Sequence, residues 1–203
     1  GAEWCVNRVQ LGRAGAVSTS GLVLANARVE SRANTDSMTG ILNRRAFLPL
    51  LAERLASGQA SALLLFDIDR FKGINDHFGH GVGDEVIAAL AEQVKAVLPS
   101  DALFARVGGE EFCISLPMAD MAALQGWASR IGREVSAQKL QTSAGELGLS
   151  ISTGAVWVPS GVRAESTGLL QQADKLMYGS KSRGRNTWQA ACYAEEDADK
   201  EEK

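Results

Sequence analysis

The sequence predicts an α/β (α+β) fold, a mixed central sheet with helices packed on it, of the ferredoxin-like kind. Three observations predict it. Apolar runs of strand length alternate with segments of helical period along most of the chain. One run, Ala62–Phe66, is apolar throughout, as expected of a strand buried on both faces. A glycine pair, Gly108-Gly109, separates the strand-like runs Leu103–Val107 and Phe112–Leu116 and marks a hairpin in the middle of the alternation.

The elements follow in order. Residues 1–35 differ from the rest: after the Gly/Ser-rich stretch Gly12–Gly21, Leu22, Ala25 and Val29 recur at helical spacing. This segment reads as the tail of an upstream element feeding a connecting helix. Asn34-Thr35-Asp36 then supplies capping and turn chemistry. A helix is expected over Arg44–Ala56, then the buried strand, then a helix over Gly83–Leu98 with Val86, Leu90, Val94 and Val97 on one side. Beyond the hairpin come a helix over Met121–Gln138, a strand over Leu149–Val158, a helix over Ser166–Ser180 and a short strand near Thr187–Ala190. The expected domain is therefore 36–190. Residues 191–203 form a tail whose charged end, Glu195–Lys203, is expected to be disordered.

Composition narrows the function classes. The 203 residues, 45% hydrophobic and 22% charged, suit one ordinary domain with spare length at its ends. A net charge of -3 gives no general attraction to nucleic acid, so an anion must be bound by a local cluster. The three cysteines, Cys5, Cys113 and Cys192, have no paired spacing, which argues against a disulfide framework or zinc site and for a reducing, cytoplasmic setting. No apolar run approaches the ~20 residues of a membrane span, so no membrane contact is expected of this chain. Glycine in place of an initial methionine is expected of a piece of a longer protein or a tag remnant.

Four groups of residues carry chemistry. Gly108-Gly109-Glu110-Glu111 removes side chains from a turn and puts two carboxylates after it. That arrangement is either a solvated turn with surface glutamates or the mouth of a gap suited to a phosphate-bound metal ion. Asp67 and Asp69 share one face of the chain as the central strand ends. They are either a polar strand end or, with Asp67, Glu110 and a carbonyl such as that of Ile68, oxygen donors for magnesium.

Next, Phe71-Lys72-Gly73-Ile74-Asn75-Asp76 precedes Gly79–Asp84. Lys72 can neutralise phosphate, and a turn beside glycines can direct N–H groups at an anion. Asn75 and Asp84 match the donors and acceptor on guanine's edge. Asp84 in the first turn of a helix is equally explained by the helix dipole. Phe71 and Phe78 read as core residues. Near the C-terminus, Lys181 and Arg185 stand one helical turn apart, able to converge on a terminal phosphate, with Gly184 capping the helix.

Together these blocks resemble the GGDEF family of diguanylate cyclases. Asp36–Arg45 is similar to the family's opening motif Asp-x-Leu-Thr-Gly-Leu-x-Asn-Arg-Arg, with Met38 and Ile41 in place of two leucines. Phe66–Asp84 resembles its Phe-Asp-Ile-Asp…Gly-His-x-x-Gly-Asp stretch, and Arg106–Phe112 its signature in a Glu-Glu version. Ser152-Thr153-Gly154 and Ala173–Asn186 resemble its closing blocks, and the match runs in order from about Asp36 to Trp188.

The resemblance implies a nucleotidyl-cyclase-like fold that condenses two GTP into cyclic di-GMP and two pyrophosphates. Each subunit of a head-to-head homodimer holds one GTP, and each 3′-hydroxyl attacks the partner's α-phosphate. It implies Mg²⁺ or Mn²⁺, two ions per site, on Asp67, the Ile68 carbonyl, Glu110 and Glu111. Glu110, Glu111 and Lys72 would carry the chemistry, with Glu110 helping to deprotonate the hydroxyl. Phe71, Lys72, Asn75, Asp84, Gly108, Gly109, Lys181 and Arg185 would bind the nucleotide. The family's inhibitory Arg-x-x-Asp falls on Pro99 and Ala102, and Asp101 is out of register, so no product inhibition through that site is expected. Gly21–Glu30 resembles the last helix of a GAF sensor domain, implying an upstream sensor that sets dimer geometry.

Overall fold

In the computed structural model, residues 33–194 are described, and all but Ala33 belong to the second of two units into which the chain divides, Asn34–Lys203. The expected connecting helix, the sensor-like Gly21–Glu30 and the tail Glu195–Lys203 lie outside the described residues. The elements are β1 (Leu42–Asn43), α1 (Arg44–Ala56), β2 (Ser61–Ile68), α2 (Phe71–Phe78), α3 (His80–Lys95), β3 (Leu103–Arg106) and β4 (Glu111–Pro117). They continue with α4 (Met121–Ala137), β5 (Leu140–Thr142), β6 (Gly145–Leu147), β7 (Ile151–Val158), α5 (Ser166–Ser182) and β8 (Thr187–Cys192).

The main sheet has the order β1-β3-β4-β2-β7-β8, with β2 antiparallel to both β4 and β7. Strands β2 and β3 flank β4, and β4 and β7 flank β2. Both crossovers are thus split βαβ units, and the ferredoxin-like expectation describes the core. Strand β2 is buried at every position, because helices cover both faces. Leu64, Phe66 and Ile68 pack with Val86, Leu90 and Val94 of α3 and Leu124 and Ile131 of α4. Leu63 and Leu65 point the other way, into Phe47, Leu51 and Leu55 of α1 and Leu169, Ala173 and Met177 of α5.

Register is what places the site. Phe66 stacks on Phe112 with ring centroids 5.4 Å apart, and Phe104 lies 6.0 Å from Phe112. A slip of one residue would turn these rings out of the core. The register they hold sets Asp67 directly opposite Glu111 on β4 and Ser152 on β7.

Some details differ from expectation. Phe71–Phe78 is a helix, not a phosphate-facing turn, and α3 starts at His80, three residues earlier than expected. Gly73 in α2, and Gly81 and Gly83 in α3, mask the helical period. Before β7, residues 139–148, to which the sequence assigns no element, contain the hairpin β5–β6, tethered to α3 where Glu85 accepts hydrogen bonds from the Ser143 N–H (2.7 Å) and hydroxyl (2.6 Å). Phe78, expected in the core, is 38% exposed, edge-on to His77. No helix among the described residues is long and apolar enough to cross a membrane.

Candidate active site

Asp67 is the last residue of β2 to face the α1–α5 layer, and only 4% of it is exposed. Its Oδ2 pairs with the Lys181 ammonium, while its Oδ1 is buried and accepts no hydrogen bond. Burial raises the Asp67 pKa above the ordinary carboxylate value. Lys181 opposes that shift, and the nearby charges of Asp69 and Glu110 add to it. Asp69 is fully engaged elsewhere. It accepts from the Ser152 hydroxyl (2.5 Å), the Ser150 hydroxyl (2.6 Å) and the Asn186 N–H (2.9 Å), and so fastens the β2 end to β7 and to the approach of β8. Of the two strand-end aspartates, one is structural and one is left open.

The glycine turn stands beside Asp67. The Ile68 N–H donates to the Glu110 carbonyl at 3.3 Å, and the Val107 and Gly108 N–H groups donate to the Glu111 carbonyl at 2.9 and 3.3 Å. Glu111 lies against the backbone of Gly108, where a Cβ would come within 2.8 Å of Oε2. A side chain at position 108 would have to displace that carboxylate. The turn is braced from behind by a residue that the sequence reading used only as part of a motif. Arg106 Nε donates to the Gly109 carbonyl at 2.9 Å, and its Nη1 pairs with Asp36 at 3.2 Å.

Asp36 in turn accepts from the Thr39 N–H (2.9 Å) and hydroxyl (2.8 Å). The opening loop thus holds the arginine that holds the turn. The available signal was an Asp-x-x-Thr spacing, which is how a short polar side chain closes its own turn.

Lys72 lies exposed on α2, and Asp84 exposed on α3. Because α3 begins at His80, Asp84 falls past the first turn, where the dipole explanation no longer reaches it. Asn75 Oδ1 is buried without a partner against Gly83, and Phe71 is 8% exposed beneath them.

On the far side, α5 lies directly on β7. A Cβ on Gly154 would come 2.0 Å from the Ala173 carbonyl oxygen, so only glycine permits this approach. The Ser180 hydroxyl bonds the Thr153 carbonyl at 2.8 Å and delivers the next residue, Lys181, to Asp67. Arg185 is not one helical turn beyond Lys181 as the spacing suggested. The helix ends at Ser182, and Arg185 and Asn186 have left-handed φ of 66° and 46°. The Arg185 N–H closes on the Ser180 carbonyl at 3.1 Å.

The described residues contain no converged group of three or more His, Cys, Asp or Glu side chains. The site nonetheless fits a hard divalent cation that shares its ligands with phosphate. Asp67 Oδ1 is a buried carboxylate oxygen with no protein donor. The Glu110 charge reaches it.

Residues 33–187 match the family model described as diguanylate cyclase, GGDEF domain. The chain belongs to the GGDEF family. It is 34% identical over 165 residues to the diguanylate cyclase VdcA of Vibrio cholerae, covering 79% of this chain and 48% of that protein. It is 38% identical over 169 residues to DgcM of Escherichia coli K12, covering 81% and 40%. The chain therefore spans less than half the length of these relatives. Among solved structures, the coiled coil and GGDEF domain of DgcB from Caulobacter crescentus, in complex with c-di-GMP, matches with a TM-score of 0.78 at 30% identity, over 85% of this chain and 93% of that one.

Proposed function

We propose that this chain is a diguanylate cyclase that condenses two GTP into cyclic di-GMP and releases two pyrophosphates. The carrying observation is Asp67 Oδ1, a buried carboxylate oxygen without a protein partner beside the Gly108–Glu111 turn. Asp67, the Ile68 carbonyl and Glu110, with Glu111 adjoining, would hold Mg²⁺ or Mn²⁺, two ions per site, which would supply positive charge against the phosphates as pyrophosphate leaves. Lys72, Lys181 and Arg185 take the β- and γ-phosphates, so that Lys181 leaves Asp67 as nucleotide and metal arrive. Asn75 and Asp84 meet guanine, with Phe71 supporting Asn75 from the core. Gly108 and Gly109 give the nucleotide access to the turn.

Displacement at phosphorus is then a matter of in-line positioning. The 3′-hydroxyl of one GTP loses its proton with help from Glu110 and attacks the α-phosphorus of the GTP on a second subunit. The bond to the β-phosphate oxygen breaks, and pyrophosphate leaves. The reaction requires a homodimer arranged head to head, which an upstream sensor in the cytoplasmic protein would control.

Feedback through the family's Arg-x-x-Asp position is absent in this reading. Pro99 and Ala102 stand there, and the neighbouring Asp101 is exposed and has its carbonyl bound by Arg54 at 2.5 Å. Incubation with GTP and Mg²⁺, followed by chromatography of the products, tests the activity. A failure to form cyclic dinucleotide at dimer-forming concentrations would point instead to a non-catalytic GTP-binding or partner-binding module. Tight cyclic di-GMP binding that Asp101→Ala abolishes would overturn the absence of feedback.

A further inference from the structure

Gly83 lies early in α3 with ordinary helical backbone, so no left-handed φ requires glycine there. Alanine is the better helix former at such a position. The requirement comes from across the α2–α3 corner. A Cβ on Gly83 would lie 1.9 Å from Asn75 Oδ1, 3.0 Å from Asn75 Cγ and 3.2 Å from Phe71 Cζ. Phe71 is held in the core, so Asn75 is the group that would have to give way. Asn75 Oδ1 is itself buried and accepts no hydrogen bond. Turned toward Gly83, it finds no N–H or O–H donor among the described residues. Its NH₂ is the edge left to meet a ligand.

We infer that Gly83 determines base specificity by fixing the orientation of the Asn75 amide. With Oδ1 seated on Gly83, Nδ2 donates to the 6-oxo oxygen of a purine, and Asp84 accepts from N1–H and the 2-amino group. Two acceptors facing the base would repel O6, and a free amide would rotate to accept from adenine's 6-amino group. A site glycine thereby becomes a selectivity device without touching the nucleotide. This inference rests on the reading of the site as a GTP site, with Asn75 against the base.

The test compares nucleotide affinity for GTP, 6-thio-GTP, which replaces O6 by a weak acceptor, and ITP, which lacks the 2-amino group. The parent chain is expected to prefer GTP over 6-thio-GTP by about ten-fold, the worth of one hydrogen bond to a buried group. Gly83→Ala should bring that ratio near one while keeping the preference for GTP over ITP, which Asp84 sets. Asn75→Ala should do the same, and the double variant should be no worse than Asn75→Ala alone.

Loss of the 6-position preference in Asn75→Ala but not in Gly83→Ala overturns the role of Gly83. Retention of the preference in Asn75→Ala removes the base-reading assignment itself and the inference with it. If Gly83→Ala melts too low to assay, adding Asn75→Ala should recover the melting temperature by removing the clash. A double variant that stays unfolded shows that the clash is not with Asn75, and also overturns the inference.

Discussion

The Lys181 ammonium is paired with Asp67 Oδ2 at the end of the central strand, and the other oxygen of the same carboxylate has no hydrogen-bond partner among the described residues. Lysine and aspartate here are 114 positions apart (181 − 67) and meet only because α5 lies flat on β7. The pair has two consequences. It opposes the burial that disfavours the Asp67 charge, and under the proposed function it ties the cation assigned to phosphate to the anion assigned to metal.

Removing the cation leaves that charge unpaired. Lys181→Met should therefore lower unfolding free energy by about 1–3 kcal/mol, between the values for exposed and buried pairs, because Lys181 is itself 30% exposed. Adding Asp67→Asn should restore part of the loss, since no unpaired charge then remains inside. Urea unfolding of the single and double variants measures both. A Lys181→Met variant as stable as the parent would show the pair to be worth nothing.

The brace behind the turn is separable from the site it supports. Arg106→Ala should keep the fold and reduce the proposed cyclase turnover by at least about ten-fold, by loosening the turn that carries Glu110. Arg106→Lys should not rescue it, because one ammonium cannot reproduce a guanidinium bonded in two directions. A cycle with Asp36→Ala should show coupling of about 0.5–3 kcal/mol in turnover. Strict additivity would break the link from Asp36 to the turn.

Asp36 also predicts a pH dependence. Burial raises its pKa, but the two Thr39 hydrogen bonds and the Arg106 charge outweigh burial and hold it below its ordinary value of 3.8. A depressed carboxylate contributes stability that is fully present above the unfolded value. That contribution is lost as pH falls through the folded one. The stability difference between the parent and Asp36→Asn should thus be constant near neutrality and shrink as pH drops below 3.8. Denaturant midpoints measured across that range check it. A gap that widens on acidification has the wrong sign for this account.

Gly154→Ala tests the seating of α5. Its methyl would meet the Ala173 carbonyl oxygen and the Met177 nitrogen, at 2.0 and 2.5 Å, both backbone atoms that cannot swing aside. We expect a loss of about 1–3 kcal/mol or more. Under the proposed function, the loss of GTP affinity that follows should exceed that of Leu169→Ala, which empties the same layer without pushing Lys181 away. Thermal unfolding and nucleotide titration separate the two.

Much of this was legible from residue order alone. The buried run Ala62–Phe66, the Gly108-Gly109 hairpin and the alternation of helix and strand define the sheet, because burial on one or two faces imprints its period on the sequence. The elements that went unread have weak imprints. Glycines at Gly73, Gly81 and Gly83 obscure α2 and the start of α3. The strands β5 and β6 have 3 residues each, too few to establish a period. The one-turn relation of Lys181 to Arg185 failed because a spacing implies a helix only where the helix continues, and left-handed Arg185 follows its end.

Residue types by themselves determined that oxygen ligands, cations and a base-sized amide–carboxylate pair exist in this chain, since chemistry follows composition at marked positions. Only the tertiary structure decided which aspartate is open, which is spent on serine hydroxyls, and which arginine braces the turn. The reason is physical. Hydrogen bonds and ion pairs saturate, and whether Asp67 or Asp69 still has a free oxygen depends on donors brought from β7, α5 and the approach to β8, more than eighty residues along the chain.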